Sequence, residues 1–236
     1  MDCWQETQIA PLLNASNVDE LFAALVPIAR ELGFDHCAYG IRTPLPVSNP
    51  KVLMLNNYPQ QWQQRYQREN YLACDPTVSH ALRSTASQVW TEDIFSSARP
   101  FWEEARAHGL RVGIAQPCHG NHGVVGLLTL SRPHDALSQP ELRNNSMRIY
   151  WLAQLVHEGM SRIILPQMLP ETSINLSDRE VEVLRWTADG KTSHEVSEIM
   201  KISERTVNFH VNNVMEKLGT RNKTAAAVKA AILGLI

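Results

Sequence analysis

Three side chains near the C-terminus have the chemistry to read DNA bases. The helix predicted after Ser203 carries four apolar residues at helical spacing, which predict a single buried stripe. They are Val207, Val211, Val214 and Leu218. The free face of this helix carries Asn208, Phe209 and Asn212. Because asparagine can hydrogen-bond adenine in the major groove and an aromatic ring can contact a thymine methyl group, this face suits base reading.

The segment around this helix is basic although the whole chain is not. The formal net charge of the chain is −2, which argues against coating nucleic acid by bulk electrostatics. Between residues 201 and 223, five basic residues stand against two acidic ones, a local charge of +3. They are Lys201, Arg205, Lys217, Arg221 and Lys223 against Glu204 and Glu216. Any contact with DNA is therefore predicted to come from this local patch.

A second helix is predicted directly before this one. It includes Val196, Ile199 and Met200, and the short turn Lys201-Ile202 joins the two helices. This is the helix-turn-helix arrangement, which docks its second helix in the major groove. A small helical bundle with a charged, solvated face would show the same periodicity, so the spacing alone leaves both interpretations open.

The N-terminal half carries aromatic residues with polar tips at helical spacing. Tyr58, Trp62 and Tyr66 stand at i, i+4 and i+8, so they share one face of a predicted helix. Asp75-Pro76 fits a helix N-cap followed by proline at the first helical position. Five further large apolar residues could line a pocket for a hydrophobic ligand, and they could equally form part of the hydrophobic core. They are Trp90, Phe95, Phe101, Trp102 and Leu110.

Cap residues and hydrophobic spacing predict the elements that hold these side chains. A first amphipathic helix follows the cap at Asn17 and stops at Gly33. Strands are predicted over residues 34–42, 51–56, 111–118 and 124–132, the last two as a hairpin. Helices are predicted over 59–68, 76–82 and 99–108 and from Ser138 to about Ile164. Strands flanked by helices predict an α-β-α sandwich, here an antiparallel sheet between helices.

The pattern changes after a segment that contains two prolines. Residues 165–175 show no helical period, as is typical of an interdomain linker. Beyond them only short helices are predicted, with caps at Ser177, Thr192, Ser203 and Asn222. The sequence thus predicts an α+β chain of two domains: a first domain over residues 1–164, a linker over 165–175 and an all-α four-helix domain over 176–236.

Length and composition allow two modest domains and argue against several classes of protein. A chain of 236 residues can bury two cores. It holds no run of the roughly 20 apolar residues that a membrane span needs, and no secretion signal, so we expect a cytoplasmic protein without membrane contact. No nucleophile elbow, zinc-ligand cluster or acidic pair of a phosphoryl receiver is found, which argues against an enzyme and against a response-regulator receiver.

The spacing of cysteine and histidine gives no sign of a metal or a cofactor. The four cysteines are far apart and lack paired spacing, so free thiols are expected. They are Cys3, Cys37, Cys74 and Cys118. His119 and His122 flank a glycine and an asparagine, which predict a solvated hairpin turn and not a metal site.

The C-terminal residues 172–236 closely resemble the LuxR-type DNA-binding domain. The resemblance is carried by residues 176–192 and 202–214, with Glu180, Leu184 and Gly190 where that family has its signature residues. It implies that Asn208, Phe209 and Asn212 face bases. It also implies five residues near phosphates, namely Lys191, Thr192, Arg205, Thr206 and His210. In the family the alanine-rich last helix pairs two such domains, which implies a homodimer on a two-fold symmetric site in double-stranded DNA.

Residues 17–164 resemble the autoinducer-binding domain of LuxR-type quorum-sensing regulators, which bind N-acyl-homoserine lactones. The matching segments keep the order and spacing of the family. They are Asn57-Tyr58-Pro59, Trp62, Tyr66, Asp75-Pro76-Thr77-Val78, Trp90, residues 101–105 and residues 109–113. The resemblance implies a regulator whose ligand is such a lactone; a regulator of the same fold that senses a different small molecule is the alternative.

The same resemblance implies a role for individual residues. Trp62 would donate to the lactone carbonyl, Asp75 would accept the amide N–H, and Tyr58 and Thr129 would meet the amide carbonyl. The remaining implied ligand-binding residues are Tyr66, Thr77, Val78, Trp90, Phe95, Phe101 and Leu110. Gln63 stands where some members place an arginine, and the family often has serine where Thr129 stands, so the acyl substituent and chain length stay open.

Overall fold

The computed structural model describes residues 6–236, and these form two compact units. The first unit consists of residues 6–120 with 124–165, and the second of residues 121–123 with 166–236. Cys3 and the other residues of the segment 1–5, on which the expectation of no secretion signal partly rested, lie outside the described residues. Among residues 6–236, no helix combines the length and apolar character that crossing a bilayer requires.

The first unit is built on an antiparallel sheet. Its strands are β1 (His36–Arg42), β2 (Val52–Asn56), β3 (Gln88–Val89), β4 (Val112–His119) and β5 (Val125–Arg132). They lie in the order β2-β1-β5-β4-β3, so β2 and β3 are the edges. Its helices are α1 (Glu6–Asn14), α2 (Val18–Glu31), α3 (Gln60–Arg68), α4 (Pro76–Ala81) and α5 (Arg99–Ala107), and α6 (Gln139–Met168) follows β5.

The two faces of the central strands pack differently because side chains alternate along a strand. On β1, Cys37 and Tyr39 are buried on the face that meets α6, where the Tyr39 hydroxyl lies 2.7 Å from Nδ1 of His157. Ala38 and Gly40 face the other way, into a cavity. The predicted sandwich is therefore confirmed, with one face filled by helices and the other only partly filled.

Most predicted elements are present with ends shifted by one or two residues. Helix α2 begins after Asn17, whose side chain accepts the backbone N–H of Glu20 as predicted. The structure adds α1 and the two-residue strand β3, which were not predicted. Helix α6 continues past Ile164 to Met168, so the first residues of the predicted linker are helical. A short 3-10 turn, Pro170–Ser173, follows.

The second unit contains the four predicted helices. They are α7 (Asp178–Ala188), α8 (Ser193–Met200), α9 (Glu204–Leu218) and α10 (Lys223–Ile232). The capping boxes at Ser177 and Thr192 are both formed, and the side chains of Ser203 and Asn222 cap α9 and α10. Each cap satisfies backbone N–H groups that a helix start leaves without partners.

The described cysteines are unpaired thiols, and one histidine has an unusual backbone conformation. Cys37, Cys74 and Cys118 are free thiols. His122 adopts a left-handed conformation with φ of 59° inside a short 3-10 turn, a geometry that side chains other than glycine and asparagine seldom take. Within residues 6–236, no group of three histidine, cysteine, aspartate or glutamate side chains is placed to hold a metal ion.

Candidate ligand cavity and nucleic-acid interface

A cavity of about 420 Å³ lies in the first unit. Helices α3, α4 and α5 and strands β1, β2 and β5 all contribute to its wall. All eleven residues predicted to bind ligand line this one cavity. They are Tyr58, Trp62, Tyr66, Asp75, Thr77, Val78, Trp90, Phe95, Phe101, Leu110 and Thr129. The volume falls within the range of ligand pockets, roughly 300–1,000 Å³. Trp62 and Tyr66 on α3 thus border a cavity and are not only part of the core. The prediction that Tyr58 shares this helix face is wrong, because α3 begins at Gln60 and Tyr58 reaches the cavity wall from the preceding turn.

Asp75 is a half-buried carboxylate in the wall of this cavity. Its Oδ1 accepts the backbone N–H and the hydroxyl of Thr77, at 2.8 and 2.7 Å, so Asp75 is also the N-cap of α4. Its Oδ2 accepts the hydroxyl of Tyr66 at 3.1 Å. Burial raises the pKa of Asp75, while the hydrogen bonds from Thr77 and Tyr66 favour the charged form. These hydrogen bonds fix the orientation of the carboxylate, which can accept a hydrogen bond from a ligand N–H in the cavity.

Trp62 is the aromatic centre of the cavity wall. Its side chain is 2% exposed and stacks on Tyr71 with ring centroids 5.7 Å apart. It also meets Tyr66 edge-on at 5.9 Å and Phe101 at 5.7 Å. No group in the described part of the chain accepts a hydrogen bond from its indole N–H. The fixed ring therefore offers a donor to a ligand carbonyl.

Tyr58 supplies a second polar tip to the cavity. Its ring meets His36 edge-on at 6.0 Å, and the Nε2 of Gln63 donates to its backbone carbonyl at 2.7 Å. Burial raises the pKa of Tyr58, so its hydroxyl stays protonated and can donate. Gln63 thus holds the turn that carries Tyr58, a role that the sequence did not indicate.

Trp90 is held by a glycine on the neighbouring strand. A Cβ added to Gly113 would lie 2.7 Å from the Trp90 ring, so only glycine allows this approach. The Trp90 ring meets Phe95 and Trp102 edge-on at 5.9 Å each, and those two rings stack on each other at 4.2 Å. The three rings thus give this part of the cavity wall a packed aromatic surface.

The structure adds wall residues that the sequence did not single out. They share small size or strand alternation and include Ala38, Gly40, Arg42, Val52, Met54, Leu72, Val125, Gly126 and Leu127. The signal that could have found the strand members is their period of two along β1, β2 and β5. This alternation was not recognised because glycine and alanine, which face the cavity, are too small to produce a clear hydrophobic pattern in the sequence.

The base-reading face predicted on α9 is exposed. Asn208, Phe209 and Asn212 are all exposed, and Phe209 has an exposed fraction of 60%, unusual for so large an apolar side chain. The Oγ of Ser193, at the start of α8, donates to Oδ1 of Asn208 at 2.8 Å. The predicted apolar stripe of α9 is buried. Arg205 and Thr192 are exposed, and the other predicted phosphate contacts, Lys191, Thr206 and His210, are half-buried.

Two side chains in this unit have surroundings that the sequence pattern did not indicate. On α8, Val196 is buried, whereas Ile199 is 43% exposed. Lys217 is paired with the buried carboxylate of Glu180 at 2.7 Å, so its charge is not available to the basic patch. Glu180 was missed as a partner because it lies far away in sequence.

The alanines of α10 also divide into two groups. Ala226, Ala227 and Ala230 are buried within the second unit, so they serve its own packing. Ala225 and Val228 remain exposed on the outer side of the helix. The close helix approach expected from alanine is therefore made inside this unit, and a different face of α10 is left free.

Comparisons with known proteins agree with this geometry. Residues 17–160 match the family described as autoinducer binding domain, and residues 174–230 match the bacterial regulatory proteins of the luxR family. The transcriptional activator protein AnoR of Acinetobacter nosocomialis is 44% identical over 238 residues, which cover both chains completely. Both resemblances drawn from the sequence are confirmed.

Solved structures support the same assignment. The crystal structure of Escherichia coli SdiA matches with a TM-score of 0.82 and 36% identity, covering 99% of this chain and 98% of that one. A second SdiA structure contains octanoyl-rac-glycerol. The N-acylhomoserine lactone dependent LuxR family factor CepR2 from Burkholderia cenocepacia matches with a TM-score of 0.62 and 25% identity, covering 66% and 92%. The chain therefore belongs to the LuxR family, as a quorum-sensing transcriptional regulator with an autoinducer-binding domain and a helix-turn-helix DNA-binding domain, and it is not an enzyme.

Proposed function

We propose that the chain binds an N-acyl-homoserine lactone in the cavity of its first unit and, as a homodimer, controls binding to a two-fold symmetric site in double-stranded DNA. Residues 1–164 would form the ligand domain, 165–175 the linker and 176–236 the DNA-binding domain. The protein would act in the cytoplasm, where its DNA is found.

One observation carries the ligand assignment: donors and one acceptor project into a cavity with otherwise apolar walls. The indole N–H of Trp62 suits the lactone carbonyl, and the carboxylate of Asp75 suits the amide N–H. The hydroxyls of Tyr58 and Thr129 suit the amide carbonyl. Each polar group of the ligand would then have a partner, and leaving one unpaired in such a cavity costs about 1–3 kcal/mol.

The DNA contacts are proposed from exposure and charge. Asn208, Phe209 and Asn212 would contact base edges. The residues proposed to lie near phosphates are Lys191, Thr192, Arg205, Thr206 and His210. The exposed face of α10, with Ala225 and Val228, is the surface proposed to pair two DNA-binding domains. A dimer whose recognition helices are related by a two-fold axis matches half-sites with the same symmetry.

A thermal-shift panel tests the ligand assignment. Purified full-length protein is heated with N-acyl-homoserine lactones of increasing chain length and, separately, with octanoyl-rac-glycerol. Because a ligand that binds only the folded state raises the melting temperature with its concentration, at least one lactone should give a saturable increase. Stabilisation by the acylglycerol alone would favour a lipid-sensing member of the family, and no stabilisation by any lactone would overturn the proposal.

The DNA assignment has a separate test. The isolated segment 166–236 should retard DNA containing a two-fold symmetric site, and full-length protein should do so as a dimer. Measurement of mass in the bound complex gives the number of chains per site. One chain on each symmetric site, at saturating protein, would contradict the dimer.

A further inference from the structure

We infer that Arg42 sets the longest fatty chain that the cavity accepts. The inference rests on the proposed lactone function and deepens it. It concerns the end of the cavity opposite the polar groups, and it assigns a specificity-determining role to a residue in β1 that neither the sequence motifs nor the family match singled out.

The strand register places the polar groups and Arg42 at opposite ends of the cavity. Thr129 pairs with Ala38, and Val125 pairs with Arg42. Ala38 also pairs with Asn56 at the end of β2, two residues before Tyr58. The ligand head group proposed to contact Tyr58 and Thr129 therefore lies at the Ala38 end. A chain running along β1 and β5 from that end points towards Arg42.

The register also gives the length of this path. From Ala38 to Arg42 is four residues, which is roughly 13 Å at the rise of a strand. An extended residue spans roughly 3.3–3.6 Å over three backbone bonds, or about 1.2 Å per bond. An extended acyl chain advances by about the same length per carbon–carbon bond. The path therefore holds roughly ten to twelve carbons between the amide carbonyl and the guanidinium.

The surroundings of Arg42 explain why a longer chain would be opposed. Its side chain lies on the cavity side of β1 and is half-buried, next to the apolar residues Pro50, Val52 and Val125. Among residues 6–236, nothing makes a hydrogen bond or an ion pair with its guanidinium. Without a protein acceptor, the guanidinium depends on water for its hydrogen bonds. A methyl-terminated chain that reached it would displace that water and return no acceptor.

The test compares lactone affinity across chain lengths in the wild type and three variants. Full-length wild-type protein, Arg42→Leu, Arg42→Met and Arg42→Lys are titrated with N-acyl-homoserine lactones of four to sixteen carbons. Wild-type affinity should rise by about four-fold per added methylene until the chain reaches Arg42, and then stop rising or fall. Arg42→Leu and Arg42→Met should extend the rise by at least two carbons and leave short chains unchanged, while Arg42→Lys should keep the wild-type limit.

Arg111→Leu is the matched control, since Arg111 is exposed beside β4 and outside the cavity. It should reproduce the wild-type profile. A second test uses wild-type protein alone and so does not depend on whether the variants fold. A lactone whose acyl chain is long enough to reach Arg42 and ends in a hydroxyl group should bind more tightly than the lactone of the same length that ends in a methyl group.

The outcomes separate this inference from the proposed function. An equal change at every chain length in Arg42→Leu, or no advantage for the terminal hydroxyl, would overturn the role of Arg42 while the lactone function stands. Absence of binding by every lactone to the wild type would instead overturn both.

Discussion

The hydroxyl of Tyr66 donates a 3.1 Å hydrogen bond to Oδ2 of Asp75, the same carboxylate that is proposed to accept the ligand amide. Thr77 occupies the other carboxylate oxygen with two donors. The orientation of the carboxylate is therefore fixed before any ligand arrives. Tyr66 thus positions the Asp75 carboxylate, in addition to packing against the ligand as the family resemblance implies.

Asp75→Asn should remove most lactone binding without lowering the melting temperature of the free protein. The two donors of Thr77 would hold the amide oxygen, which turns the NH₂ group towards the ligand N–H and sets donor against donor. We expect affinity to fall by roughly ten- to hundred-fold. Isothermal titration with the best lactone of the panel measures this loss.

The free protein should tolerate the change because burial raises the pKa of Asp75 in the fold. A carboxyl whose folded pKa lies above its unfolded value costs stability once the pH exceeds the unfolded value, and a neutral amide removes this cost. Asp93→Asn, at an exposed position outside the cavity, is the control. Undiminished lactone binding by Asp75→Asn would contradict the proposed contact.

Gly126→Ala should destabilise the first unit by about 1–3 kcal/mol. The added Cβ would lie 2.4 Å from Nδ1 of His157 and 2.7 Å from the hydroxyl of Tyr39, both held between the sheet and α6. Gly40→Ala is the matched control, because its Cβ would approach only the carbonyl of Leu53, at 4.0 Å. Urea unfolding of both variants measures this difference in stability. Equal midpoints would contradict the prediction and show that His157 and Tyr39 can move to accommodate the added methyl group.

His157→Gln should flatten the loss of stability on acidification. Burial lowers the pKa of His157 from 6.5 to about 4. Below pH 6.5 this histidine is protonated in the unfolded chain, whereas in the folded protein it stays neutral until about pH 4. The free energy of unfolding therefore decreases as the pH falls from 6.5 to about 4. Glutamine retains a partner for Tyr39 and does not titrate.

Melting temperatures of the wild type and His157→Gln between pH 7 and pH 4.5 check this prediction. The difference between the two proteins should grow in favour of the variant at the acid end. His194→Gln, whose side chain is 71% exposed, should follow the wild type. Parallel curves for His157→Gln and the wild type would exclude His157 as the source.

Phe209→Ala should weaken DNA binding by roughly ten-fold or more and leave the melting temperature unchanged. The side chain is 60% exposed, so its removal creates no cavity in the core. Val47→Ala, at 63% exposed but in the first unit, is the control. Fluorescence anisotropy with a labelled operator measures the affinity, and wild-type affinity in Phe209→Ala would remove this residue from the interface.

Caps and long periodic stretches made most of the fold predictable from the sequence. The caps at Asn17, Ser177 and Thr192 each satisfy backbone groups locally, so sequence neighbours suffice to identify them. Helix α1 was missed because Pro11 lies inside it. The end of α6 was missed for a similar reason, since the helix continues through Pro166.

Relations between distant residues could not be read from the sequence. The ion pair of Glu180 with Lys217 and the contact of Gly113 with Trp90 depend on packing of elements that lie far apart in the chain. The exposure of Ile199 likewise depends on which neighbours cover α8. Motif resemblance brought the polar residues of the cavity together, whereas the direction and length of its apolar end followed only from the strand register.

Gly40 carries a consequence for how signalling systems diverge. It lies in the cavity wall midway between Ala38 and Arg42, and a side chain there would meet little resistance from the backbone around it. One substitution could therefore shorten the space for a fatty chain without disturbing the sheet. Two lineages could come to ignore each other's signals through a single codon, while the core, the DNA-binding helices and the head-group contacts are inherited unchanged.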